Sequence, residues 1–93
     1  MASEDFPKLK EKQVVVARAD YNTGIVLDEY FNYAINPDQK VYTLFDHIDE
    51  ALIFAKAIVL EKENVECIIH GNNKQVLFLS NSRKCKHLLN SNY

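Results

Sequence analysis

Glycine and cysteine are scarce in this sequence, and each scarcity excludes a class of protein. Two glycines among 93 residues are too few for the glycine-rich loops that cradle phosphate groups. Two cysteines, without any Asn-x-Ser/Thr glycosylation site, are typical of a reducing intracellular location. We therefore expect a cytoplasmic protein.

Long hydrophobic runs are also lacking. The apolar stretches fall far short of the roughly 20 residues that span a bilayer. Residues 1–5 are acidic where a secretory signal would be basic, so we expect no membrane partner. The length allows one modest core, which we expect in a single domain over residues 12–80. A flexible lead-in (1–11) and a basic tail or short helix (81–93) would flank it.

Charge is unevenly distributed along the chain. Residues 19–66 carry ten acidic side chains against three lysines, a net charge of −7. Residues 67–93 carry four basic side chains and no acidic one, a net charge of +4. The acidic body suits a basic partner, whereas the basic tail suits contact with nucleic acid.

Short β-branched and aromatic runs predict strands, and one periodic segment predicts a helix. The strand segments are QVVVARA (13–19), IVLDEYF (25–31), KVYTLF (40–45), VECIIH (65–70) and QVLFLS (75–80). Apolar residues at spacings of three and four predict a helix over residues 47–63, with Asp46 as its N-terminal cap. The predicted fold class is α+β: a mostly antiparallel sheet of about four strands, in β-β-β-α-β-β order, with the helix on one face.

Cys67 and His70 have a spacing that occurs in metal-binding pairs. Residues three apart in a strand point to opposite faces of the sheet, so we expect Cys67 in the core and His70 on the other side. Cys85 and His87 add a second pair, but the combined spacing matches no zinc-site pattern. A buried thiol is also a poor nucleophile. We expect no metal, no cofactor and no catalytic residue.

The face of the sheet turned away from the helix, here called the second face, has no obvious cover. A two-residue turn at Asn72-Asn73 would pair His70 with Gln75 and Ile68 with Leu77. The interface candidates on this face are Ile68, His70, Leu77 and Leu79, and Tyr30 and Tyr33 are further candidates at a polar rim near Asp28, Glu29 and Asn32. An uncovered patch of this kind is unusual on a monomer. Either the tail, through Leu88 and Leu89, or a second subunit would cover it, and a symmetric dimer is the commonest oligomer.

The sequence favours a non-enzymatic protein-interaction module, which self-associates as a homodimer through the second face or an edge strand. Two alternatives stay open. One is a small nucleic-acid-binding domain that uses strand aromatics and the tail cations Arg83, Lys84 and Lys86. The other is an acidic inhibitor or immunity-type protein that binds a basic partner.

Residues 40–79 resemble the DUF2188 family of small bacterial domains. The resemblance rests on Glu50-Ala51 and Ala55 in the helix, and on Ile69-His70-Gly71 and Lys74 in the hairpin. Asn73 departs from the pattern, because the family tends to have glycine there. Membership would imply a β-β-α-β-β plan. The family has no assigned activity, so the resemblance implies a fold and no function.

Overall fold

The computed structural model describes residues 6–81, and these form one antiparallel sheet crossed by one helix. The strands are β1 (Val14–Asp20), β2 (Val26–Leu27), β3 (Tyr42–Phe45), β4 (Val65–His70) and β5 (Val76–Asn81), and the helix α1 spans Ile48–Glu61. A 3-10 turn, Asn72–Lys74, joins β4 to β5. The predicted α+β class, with one main helix and a mostly antiparallel sheet, is confirmed.

Strand β1 is the centre of the sheet. One of its edges pairs with β3 through residues 14–17 and then with β2 through residues 18–19, while its other edge pairs with β4, and β5 lies outside β4. Because β3 and β4 are both antiparallel to β1, they are parallel to each other. The connection between them crosses β1, and α1 is that crossover.

The hydrophobic core lies between α1 and the sheet. The helix contributes small and β-branched side chains, so its axis can lie close to the strands. The buried helix residues are Ala51, Ala55, Ile58 and Val59, and they pack with Val14, Val16, Leu27, Val65, Cys67 and Ile69 of the sheet. Truncating a fully buried side chain such as Ile69 would cost about 2–5 kcal/mol of folding free energy.

Both helix ends differ from the prediction. The residue at the N-cap is His47, whose side chain makes no capping bond. Asp46 is not the cap, because its Oδ1 instead accepts a hydrogen bond from Gln13 Nε2 at 3.1 Å. The helix ends at Glu61, two residues earlier than predicted, where the backbone of Lys62 turns extended.

The second strand is much shorter than the predicted segment 25–31. Asp28 ends it, because the carboxylate of this residue accepts the backbone amides of Tyr30 and Asn32 at 2.8 and 3.0 Å. A side chain that captures amides in this way competes with strand pairing. Phe31 then takes a positive φ of 67°, which no strand residue adopts.

The hairpin between β4 and β5 has a different register from the predicted one. Ile69 lies opposite Phe78 rather than Val76, and His70 lies opposite Val76 rather than Gln75, with an irregularity between Ile69 and His70. The cause is a longer turn, in which Asn73 and Lys74 have φ values of 60° and 63°. One residue of β5 is left over and forms a bulge at Leu77.

Phe6, the first described residue, lies against the sheet; a flexible lead-in was expected over residues 1–11, of which residues 1–5 are outside the described part of the chain. The ring of Phe6 stands edge-on to Tyr42 and to His70, with centroid distances of 5.3 and 5.7 Å. A tight turn returns the chain to β1, since Gln13 N donates to Lys10 O at 3.0 Å. Of the predicted tail or short helix over residues 81–93, Asn81 ends β5 and residues 82–93 lie outside the described residues.

Candidate interaction surfaces

The second face is assembled from alternate residues of all five strands. The pairing places Val15, Ala17 and Ala19 of β1 on it, beside Val26, Tyr42, Leu44, Glu66, Ile68, His70, Val76 and Leu79. Nine of these eleven residues are apolar or aromatic, and Glu66 is the one acid. Charge depletion of this kind is typical of the centre of a protein interface.

The chain itself closes the middle of the second face. Val15 is fully buried although it points away from the helix. It lies in register with His70, and the Phe6 ring spans from His70 to Tyr42 across β1. Apolar exposure is therefore displaced to the rim, where Leu44 is 51 % exposed, Val76 57 % and Val26 43 %.

The candidate interface residues predicted from the sequence do not all lie on one surface. Ile68, His70 and Leu79 are half-buried on the second face, as their strand positions predicted. The predicted position of Leu77 on the second face is wrong, because the bulge turns this side chain to the helix side of the sheet. A Cβ built on Gly71 would stand 3.0 Å from Leu77 Cδ1, and Leu77 lines a cleft with Val14 and Ile48.

Tyr30 and Tyr33 belong to a separate surface, the aromatic loop, which comprises residues 28–41 between β2 and β3. Tyr30 is 74 % exposed and Ile35 is 72 % exposed. Tyr33 pairs with Leu27 and donates its hydroxyl to Asp20 Oδ2 at 3.1 Å. This loop thus presents large apolar side chains to solvent.

Gln39 holds the aromatic loop in a defined shape. Its Oε1 accepts the backbone amides of Ile35 and Asn36 at 2.7 and 2.6 Å. Its Nε2 donates to Asp28 Oδ2 at 2.7 Å and to Tyr33 O at 2.9 Å. Four hydrogen bonds from one side chain order the loop before any partner arrives, which lowers the entropy cost of binding.

Two carboxylates at the base of the loop have lowered pKa values. The amide of Gln39, then the backbone amides of Asn32 and Tyr30, hold the pKa of Asp28 below its ordinary value, and the charge of Arg18 acts in the same direction against the effect of burial. The pKa of Asp20 is lowered chiefly by the backbone amide of Asn22. Both groups are therefore ionised at neutral pH.

Arg18 is the main residue near the candidate surfaces that was not predicted from the sequence. It is 1 % exposed, and it donates to Thr43 Oγ1 at 2.8 Å and to Val41 O at 3.2 Å. It therefore ties the end of the aromatic loop to the centre of the sheet. Strand alternation could have predicted its burial. Arg18 lies on the same face of β1 as Val14 and Val16, which is the face that packs against the helix.

Cys67 and His70 do not share a site, as strand alternation predicted. Cys67 is fully buried on the helix side, whereas His70 contacts Phe6 on the second face. Among residues 6–81, no group of three His, Cys, Asp or Glu side chains is arranged to hold a metal ion. The cations Arg83, Lys84 and Lys86 lie beyond the described part of the chain.

Comparison with known proteins returned no match to a protein family, to a curated protein or to a solved structure. The resemblance to DUF2188 accordingly stays a prediction. No helix within residues 6–81 has the length and apolar character needed to cross a membrane.

Proposed function

We propose that this chain is a non-enzymatic protein-interaction module that self-associates through the second face of its sheet. The observation that carries the proposal is the rim of that face, where Leu44, Val76 and Val26 are each about half exposed on different strands. Exposed apolar side chains spread over one charge-poor face favour a protein contact over a solvated surface.

A second copy of the same face suits this surface better than a charged partner does. In a two-fold dimer each residue faces a residue of the same surface, so like charges would oppose one another on a charged face. The second face carries Glu66 as its one acid, and this residue is half-buried. Two such faces can therefore meet without strong repulsion.

Pairing through the sheet edges is less favoured than pairing through the face. Strand β2 has two residues and β3 has four, so each offers few hydrogen bonds to a partner strand. Strand β5 is longer, but its register is broken at Leu77. Short and bulged edge strands are devices that proteins use against edge-to-edge association.

Charge substitution on each side of the domain tests the proposal. In Leu44→Lys, the dimer would bury an unpaired ammonium group, which costs several kcal/mol, so dimerisation should weaken by at least about tenfold. Ile53→Lys is the matched control, because Ile53 is 71 % exposed on the outer side of α1. Sedimentation of both variants measures the association.

The expected result is a dimeric Ile53→Lys variant and a monomeric Leu44→Lys variant. If Ile53→Lys is the monomeric one, the helix is the interface and the proposal fails. It also fails if both variants associate as the unmodified chain does. Circular dichroism checks that both are folded, which their exposed positions lead us to expect.

Binding of a basic protein through the aromatic loop is the second candidate. It is favoured by the exposure of Tyr30 and Ile35 on a loop that Gln39 orders, with Glu29 and Asp38 exposed nearby. Tyrosine-rich, pre-ordered loops with acidic neighbours suit a lysine- or arginine-rich surface. This contact would weaken with added salt, whereas the apolar dimer would not.

A further inference from the structure

An open groove lies between the N-terminal segment and the turn that joins β4 to β5. Its walls are residues 6–9 on one side and Asn72–Lys74 on the other, and it encloses about 590 Å³. Small-molecule sites commonly fall in this range of volume. The groove is separate from the aromatic loop, which adjoins the opposite end of β1.

The fold brings two lysines to the groove from distant parts of the sequence. Lys8 lies on the N-terminal wall and Lys74 on the turn, and none of the seven described residues that line the groove is acidic. The side-chain amides of Asn72 and Asn73 add hydrogen-bond donors. This region is positive in a chain whose residues 19–66 carry a net charge of −7.

An aromatic ring borders the same groove. Phe6 is fixed by its edge-on contacts with Tyr42 and His70, and Lys74 Nζ lies 6.0 Å from the centre of the Phe6 ring. A fixed ring beside cations offers stacking for a flat ligand and charge for its anionic end. Nucleotides have both parts.

We propose that this groove binds a nucleoside phosphate. The phosphates pair with Lys8 and Lys74, the base lies against Phe6, and the amides of Asn72 and Asn73 donate to the polar edge of the base or to phosphate oxygens. Here lysine charges and side-chain amides bind the phosphate groups, a task that a glycine-rich loop performs in other proteins. Every group that binds comes from one chain, and Phe6 also lies on the second face, so the groove adjoins the proposed dimer interface.

Titration with ATP, followed by the backbone and side-chain amide signals in NMR spectra, tests the proposal. We expect shifts confined to Phe6, Lys8, Leu9 and the turn Asn72–Lys74. Lys74→Glu should weaken binding by about tenfold or more, because it replaces attraction to phosphate by repulsion. Lys56→Glu is the matched control, with the same charge change at an exposed helix position outside the groove.

The Phe6→Leu variant distinguishes the contribution of the nucleoside to binding from the contribution of the phosphate groups. It should weaken ATP binding while leaving the binding of inorganic tripolyphosphate unchanged. The proposal is overturned if millimolar ATP shifts no groove signal, if Lys56→Glu and Lys74→Glu weaken binding equally, or if Phe6→Leu affects both ligands alike. The spectra themselves show whether each variant is folded, and sedimentation of the same samples shows whether the dimer is present.

Discussion

At the scale of the residue, Gln39 and Asp28 determine the shape of the aromatic loop. They lie eleven positions apart, and their side chains meet only because β2 ends at Asp28. Asn36-Pro37-Asp38 has the local propensity for a turn, but local propensity cannot predict this pair. Tyr30 and Tyr33 have polar sequence neighbours and were expected to be exposed, and both are exposed, on a loop apart from the second face.

Replacing Gln39 by Glu should destabilise the fold and change its dependence on pH. The change removes the donor to Asp28 Oδ2 and to Tyr33 O, so the aromatic loop loses two of the four hydrogen bonds that Gln39 makes. It also removes the largest cause of the lowered pKa of Asp28 and places a like charge beside it. Gln75→Glu is the control, because Gln75 is exposed and makes no such contact.

The sign of the pH effect follows from the lowered pKa of Asp28. Between its folded and unfolded pKa values, the unfolded chain binds more protons, so the free energy of unfolding falls as the pH drops below about 4. In Gln39→Glu this fall should become smaller, while Asp20 still contributes its own. Urea unfolding at neutral and acidic pH measures it, and an unchanged pH profile would contradict the role given to Gln39.

At the scale of the element, strand alternation correctly predicted which side chains are buried. The expected turn length gave the wrong hairpin register. The residues of β4 alternate in burial as predicted, with Val65, Cys67 and Ile69 buried and His70 on the second face. The hairpin register was wrong because Lys74, like Asn73, adopts positive φ. Lysine seldom does so, and no local sequence signal marks it.

The bulge at Leu77 can be tested by a double-mutant cycle. Gly71→Ala should cost about 1 kcal/mol, because the added Cβ would crowd the flexible end of Leu77. In the Leu77→Ala background that cost should largely disappear, since the crowded group is gone. If the two substitutions have additive effects on the free energy of unfolding in urea, Leu77 does not contact Gly71. That result would favour the register expected from the sequence.

At the scale of the whole molecule, the uneven charge along the sequence puts acidic and basic side chains on different surfaces of the fold. The acids of residues 19–66 include Glu29 and Asp38 on the aromatic loop, whereas Lys8 and Lys74 meet at the groove. The sequence predicted the acidic body. It could not predict the groove, because residues 6–9 reach the turn at 72–74 through the contacts of the Phe6 ring with His70 and Lys74, which no local pattern marks.

The second face was predicted as an uncovered surface and is only partly so. Phe6 was assigned to a flexible lead-in, since its neighbours are charged and show no periodicity. Its docking leaves Leu44, Val76 and Val26 as the exposed apolar groups of that face. The proposed dimer therefore meets at the rim of the face and over Phe6, rather than on the bare centre of the sheet.

Sedimentation equilibrium of the unmodified full chain, at low and high salt, tests the central proposal most directly. The account predicts a mass of twice the 10.8 kDa chain at micromolar concentration, unchanged by salt because the second face is nearly uncharged. A mass of 10.8 kDa throughout, or a dimer that dissociates as salt is added, would contradict it.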